Sequence, residues 1–229
     1  MMIFSPTIVN DGRRLLISAQ SLNFLTHSTE KHTTYENIDF QSFFRNNDPS
    51  QLRFSSLLRA NATFPFIMPM VSLPTTPETH IMDAGLRDNY GGKVTIEYLF
   101  ALKNWIQENT SGVIIVEMRD TKRILNKQKV NKITLIDKLK VPFSNMMDNF
   151  DRTQDYDQEQ LMELSKTSFE FPVDIVTFNL RESVDDRISL SWHLTRREKE
   201  KIKSAMSSLE NQNALDLMKK YLGYNNNIR

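Results

Sequence analysis

The sequence contains no cysteine and only six glycines in 229 residues. The first absence excludes a disulfide framework, a Cys-ligated zinc and a thiol nucleophile. The second is informative through placement: Gly12, Gly85, Gly91, Gly92, Gly112 and Gly223 stand 73, 6, 1, 20 and 111 positions apart. A dinucleotide loop needs glycines two and then three apart, and a P-loop needs a pair five apart. A nucleophile elbow needs a pair four apart around a serine. None of these spacings occurs, and no serine follows a glycine by two places. The chain therefore has neither a phosphate cradle nor a serine elbow. Charge of one sign is also lacking, with 29 basic and 28 acidic residues. That balance leaves no electrostatic footprint for nucleic acid.

Long apolar runs are missing as well. The longest aliphatic run, Val113-Ile114-Ile115-Val116, is far short of the ~20 residues a spanning helix needs. The start, Met1-Met2-Ile3-Phe4-Ser5-Pro6, has neither the basic region nor the apolar stretch of a signal peptide. These features predict a cytoplasmic chain or one peripheral at a membrane surface. What is present, 39% hydrophobic and 25% charged residues, is the composition of a folded globular protein. The length suits one domain, or one domain with an appendage.

The opening reads as a hairpin: Ile3 to Val9 is apolar and β-branched, Asn10-Asp11-Gly12 is a turn signal, and Leu15 to Ser18 resumes a strand. A short strand is expected at Leu22 to Thr26, and a loop from His27 to Asn37. Asp48-Pro49 predicts a helix start, running to about Asn61. Phe64 to Pro77 holds four prolines and reads as a rigid extended segment without regular structure. His80-Ile81-Met82 is a strand ending at Asp83. After a turn at 88–92 comes a helix with Val94, Tyr98, Ala101, Leu102, Trp105 and Ile106 on its apolar stripe. Val113 to Met118 reads as a strand buried on both faces. Strand, turn, helix, strand is an α/β rhythm. Further on, a helix is expected from about Tyr156 to Thr167 and a strand from Val173 to Leu180. Two helices close the chain, the first opened by a Thr195/Glu198 capping box and the second ended by Gly223.

Two separated stretches carry the most specific signal. Leu58-Arg59-Ala60-Asn61-Ala62-Thr63-Phe64-Pro65, with Pro69 after it, precedes His80-Ile81-Met82-Asp83-Ala84-Gly85-Leu86-Arg87-Asp88-Asn89. This order resembles the second signature region of the patatin-like phospholipases. There a helix ending in Arg-Ala-Ser and a proline-rich segment lead to a strand tipped by Asp-Gly-Gly or Asp-Gly-Ala, with an Asn soon after. Asn61 replaces the usual Ser or Thr, and Ala84 replaces the first turn glycine, which demands a turn with φ < 0 at that position.

The resemblance covers roughly residues 1–118. It implies an α/β chain: an incomplete patatin-like three-layer fold with helices packed on a mixed sheet, plus a helical C-terminal extension. The expected division is 1–118 for the hydrolase portion, 119–155 for a basic loop or insertion, and 156–229 for the extension. The implied activity is acyl hydrolysis of a lipid or phospholipid ester by a Ser–Asp dyad. Asp83 is then the general base, with Arg59, Pro65, Ala84, Gly85 and Asn89 as scaffold around it. The family's serine and oxyanion loop precede this region, so the nucleophile is expected on a missing N-terminal segment or a partner chain. This chain alone is expected to be inactive. No cofactor or metal is implied. The alternative is a non-catalytic lipid- or protein-binding remnant of the same fold.

Other residues carry less. Ser21, Ser55 and Ser56 lack an elbow, and His27 and His32 have a poor metal spacing. His80 is a candidate for lining the site, against the plainer reading of a solvent-edge strand residue, and His193 reads as packing beside Trp192. Asp88 is a candidate second acid whose default role is in the turn. Arg119 to Lys140 has eight basic residues and two acids, and a Met and Phe cluster follows it. Peripheral membrane contact by that segment is an expectation, against the plainer reading of a solvated loop and core residues.

Overall fold

The computed structural model describes residues 1–26, 36–63, 68–119, 153–154, 156–180, 188 and 193–223. They form an α/β chain of helices and mixed sheet that falls into two compact units. One holds the described residues to 108 together with those from 153 to 169. The other holds 109–119 and those from 170 onward.

The first unit is built on a five-stranded sheet. Its strands are β1 (Thr7–Ile8), β2 (Arg14–Leu16), β3 (Asn37–Asp39), β4 (Val71–Leu73) and β5 (Thr79–Met82), in the spatial order β3-β2-β1-β5-β4. Only β2 and β3 run parallel; the other neighbours are antiparallel. The hairpin read from Asn10-Asp11-Gly12 is present, with Gly12 at φ +77, where a side chain would strain the turn. Helices cover both faces. On one face Ile8, Leu15 and Ile81 pack with α1 (Phe40–Phe43) and with Leu57 and Ala60 of α2 (Phe54–Asn61). On the other, Leu16, Leu22 and Leu25 pack with Val94 of α4 (Gly92–Asn109), which follows the single turn α3 (Gly85–Asp88). A fifth helix, α5, whose described residues are 153–154 and 156–166, sits in the same unit. Gln154 at its start donates to the Leu86 carbonyl at 2.7 Å, and Phe169 after it meets Phe100 with ring centroids 4.6 Å apart.

Leu22 to Thr26 is no strand: Asn23–Leu25 is a 3₁₀ turn with Leu22 and Leu25 pointing into the core. The helix expected from Asp48 is broken. Asp48 caps only the 3₁₀ turn Pro49–Gln51, Leu52 is extended, and α2 starts afresh at Phe54. Val71–Leu73 is a strand despite the flanking prolines, because no proline stands within it and β5 supplies its partner. On α4 the buried apolar side chains are Val94, Ile96, Leu99 and Ile106, whereas Trp105 is 59% exposed.

The second unit pairs β6 (Val113–Arg119) with β7 (Val173–Asn179) in parallel along seven residues. Val113 therefore belongs to a different sheet from Met82, and the boundary between the units falls before it rather than after residue 118. Nor is β6 buried on both faces, since Met118 is 76% exposed. Gly112 enters the strand at φ +149, and a Cβ there would lie 2.8 Å from the Pro172 carbonyl. Helices α6 (Arg196–Ala205) and α7 (Leu209–Tyr221) complete the unit. The Thr195/Glu198 capping box is formed. Asn211 of α7, 1% exposed, meets the end of β7 with both ends of its amide: it accepts from Asn179 N at 2.9 Å and donates to Asn179 O at 2.7 Å. His27, His32, Trp192 and the segment 120–150 lie outside the described residues.

Candidate functional site

Strand β5 carries Ile81 into the core and delivers Asp83 just past its end. The chain there is clamped from two sides. From β1, the Thr7 hydroxyl donates to the Asp83 carbonyl at 3.1 Å. From the end of α2, the Thr63 carbonyl accepts the Asp83 amide at 3.2 Å and the Asn61 carbonyl accepts the Ala84 amide at 3.4 Å. The two halves of the sequence signal thus meet in space. Thr63 is fully buried, and its hydroxyl turns back to the Arg59 carbonyl at 2.7 Å. Arg59 contributes through its backbone, while its side chain is exposed. Pro65 lies outside the described residues.

Ala84 adopts φ −63 and ψ −32, the turn without positive φ that an alanine at this place demands. The chain then enters α3 at Gly85, whose amide donates to Asp83 Oδ1 at 2.6 Å. A Cβ at Gly85 would lie 2.7 Å from Asp83 Oδ1 and 2.9 Å from Asn89 Oδ1. Glycine is favoured here by crowding from two side-chain ends, which a Cβ would displace, since its own φ is not positive. Asn89 is exposed and borders the same spot.

The Asp83 carboxyl is half-buried, and that burial pushes its pKa above the ordinary value; the single bond from Gly85 opposes the rise without cancelling it. Its Oδ2 accepts no hydrogen bond from the described residues. A carboxylate with one oxygen anchored, the other free and raised basicity is chemically suited to receive a proton.

No family model matches this chain, and no curated protein or solved structure does either.

Asp39 offers the instructive contrast. It is 2% exposed, and the hydroxyl of Ser21 donates to its Oδ2 at 2.7 Å, so a serine–aspartate contact exists in the chain. Yet Ser42 N and Ser42 Oγ bond the same oxygen, and Leu22 N bonds Oδ1 at 3.1 Å. Burial alone would raise this carboxyl, but the bonds from Leu22, Ser21 and Ser42 outweigh it and hold its pKa below the ordinary value. A carboxylate so filled is a poor base; Asp39 is the N-cap of α1.

Asp88 is not a second acid at the site. It is 2% exposed and caps α4, accepting from Val94 N at 3.0 Å and Lys93 N at 3.3 Å. Its Oδ2 also lies 3.7 Å from Arg14 Nη1. Arg14, with no exposed surface, pairs with Glu97 of α4 at 2.5 Å, and Asn37 donates to the other Glu97 oxygen at 2.8 Å. Sequence reasoning missed this buried network. The available signal was Glu97 itself, a carboxylate three residues from Val94 on the inward arc of α4, which calls for a buried cation.

His80 shares a 3.0 Å hydrogen bond with Ser72 across the β4–β5 ladder, on an exposed part of the sheet. His193 is exposed. Among the described residues no group of three or more His, Asp or Glu gathers to hold a metal ion. No helix among them is long and apolar enough to cross a membrane.

Proposed function

We propose that this chain is the base-carrying portion of a patatin-like lipid acyl hydrolase, with the fold of that family in incomplete form. Asp83 is the general base of a Ser–Asp dyad. The observation that carries this reading is the free Oδ2 of a carboxylate whose pKa is raised by burial and whose backbone is gripped by the Arg59–Thr63 segment. In the reaction, a serine hydroxyl attacks the ester carbonyl carbon while Asp83 takes its proton. The tetrahedral intermediate then expels the alcohol, which leaves with that proton, and water releases the acyl group by the same route in reverse. The serine and the oxyanion donors are supplied from outside these 229 residues. Arg59, Ala84, Gly85 and Asn89 hold the turn.

A second reading is a non-catalytic remnant that binds lipid or protein. What favours it is that no hydroxyl among the described residues donates to the Asp83 carboxylate. One experiment separates the two. The coding DNA upstream of Met1 is read, and any in-frame segment with a glycine-rich loop and Gly-x-Ser-x-Gly is joined to the chain. Ester hydrolysis by the joined protein, abolished by Asp83→Asn, supports the hydrolase. Absence of such a segment favours the remnant, and hydrolysis that survives Asp83→Asn overturns Asp83 as base.

A further inference from the structure

Helix α2 buries Leu57 and Ala60 and turns Phe54 and Leu58 outward, 56% and 38% exposed. Residues four apart are neighbours on a helix surface, so these two side chains form one apolar strip. The Phe54 ring is held edge-on against Phe4, with centroids 6.0 Å apart, which keeps it standing on that face. Arg59 lies on the outward arc beside Leu58, and Arg53 immediately precedes the helix. Both are exposed, and neither makes an ion pair with the described residues. From Pro49 to Pro77 the sequence has no Asp or Glu, and these two arginines are its only charges. The charged residues on α2 and immediately before it are thus both arginines.

That pairing complements a surface that is anionic outside and apolar just beneath, where aromatic and leucine side chains enter the head-group boundary and arginines meet phosphates. The strip also ends beside the candidate base, because the carbonyls of Asn61 and Thr63 at the far end of α2 hold the Ala84 and Asp83 amides. We propose that α2 is the docking face for an anionic lipid bilayer, with Phe54 and Leu58 entering it and Arg53 and Arg59 binding phosphate oxygens. The choice of a bilayer over another anionic surface rests on the lipid-hydrolase reading; the residues that carry it are separate from Asp83.

The test is co-sedimentation of the full 229-residue chain with vesicles of phosphatidylcholine alone and with phosphatidylserine added. The expected result is binding to the anionic vesicles that weakens about fivefold for each arginine removed in Arg53→Gln and Arg59→Gln. Phe54→Ser with Leu58→Ser is expected to abolish it. Should that pair impair folding, the arginine variants, which leave the packing intact, still decide. Equal binding to neutral vesicles, or α2 variants that bind like the unaltered chain, would overturn the proposal. So would a concentration-dependent dimer lost in Phe54→Ser with no vesicle binding, which would assign the strip to a second copy. Asp83→Asn is expected to bind as the unaltered chain does. A failure of docking therefore leaves the base assignment standing, and a failure of the base leaves docking measurable.

Discussion

The backbone amide of Asp83 donates to the carbonyl of Thr63 at 3.2 Å, so the end of β5 is seated on the residues that follow α2. Neither residue's local sequence requires that contact. It joins the candidate base to a buried threonine, and it makes the carboxylate's surroundings a property of two distant segments.

Burial raises the Asp83 pKa, so the folded chain holds the proton more tightly than the unfolded one. Stability then falls as pH rises from the unfolded value of about 3.9 through the higher folded value. Asp83→Asn removes that loss while keeping an oxygen for the Gly85 amide. The variant should melt higher at neutral pH, by no more than about 2 °C because solvent screens a half-exposed group. The gain should vanish below about pH 3. Melting curves across that range check it, and a constant gain at every pH would refute the linkage.

Gly85→Ala places a methyl group 2.7 Å from Asp83 Oδ1 and 2.9 Å from Asn89 Oδ1. The carboxylate must move, losing the 2.6 Å bond from the Gly85 amide that restrains its pKa. The Asp83 carboxyl should therefore titrate higher than in the unaltered chain. Carbon-detected NMR titration of that carboxyl reads the shift directly, and an unchanged titration would show that the turn absorbs the methyl.

Asp39 presents the opposite sign. Burial disfavours its charge, but donors from Leu22, Ser21 and Ser42 leave its folded pKa below the ordinary value. Its contribution is present above the unfolded value of about 3.9 and is lost as pH falls through the lower folded one. Asp39→Ala should cost about 1–2 kcal/mol at neutral pH through the lost cap. The deficit should shrink on acidification, as urea midpoints at pH 7 and pH 3 would show.

Arg14→Met leaves Glu97 and Asp88 without their buried cation and should cost about 3–5 kcal/mol. Glu97→Gln added to it removes one of the stranded charges and should recover part of the loss. A double-mutant cycle by urea unfolding measures the coupling, expected at about 1–3 kcal/mol. Strictly additive losses would show that the 2.5 Å contact carries no coupling energy.

Features set by near neighbours were legible in the chain. The Asn10-Asp11-Gly12 turn, the Thr195 capping box, the helix after Gly92 and the strand through Ile81 all appear where residues a few positions apart place them. The same holds for the Ala84 turn, because alanine admits only negative φ at little cost. Pairings across the chain were not legible. Val71–Leu73 became a strand because β5 was there to pair with it, and Val113–Arg119 joined Val173–Asn179 instead of the sheet before it.

Trp105 fits the apolar stripe of α4 by periodicity yet lies exposed, whereas the partner of Glu97 on the inward arc, Arg14, stands on a distant strand. Periodicity reports which residues share a face of a helix; it does not report what stands opposite. That Asp83 ends a strand and opens a turn follows from its near neighbours alone. Only the folded arrangement leaves it with one oxygen unbonded among the described residues and with raised basicity, while Asp39 is filled by donors. The reason is physical: the charge state of a carboxylate depends on burial and on the number of donors around it. For Asp39 those donors come from residues far along the chain as well as adjacent ones.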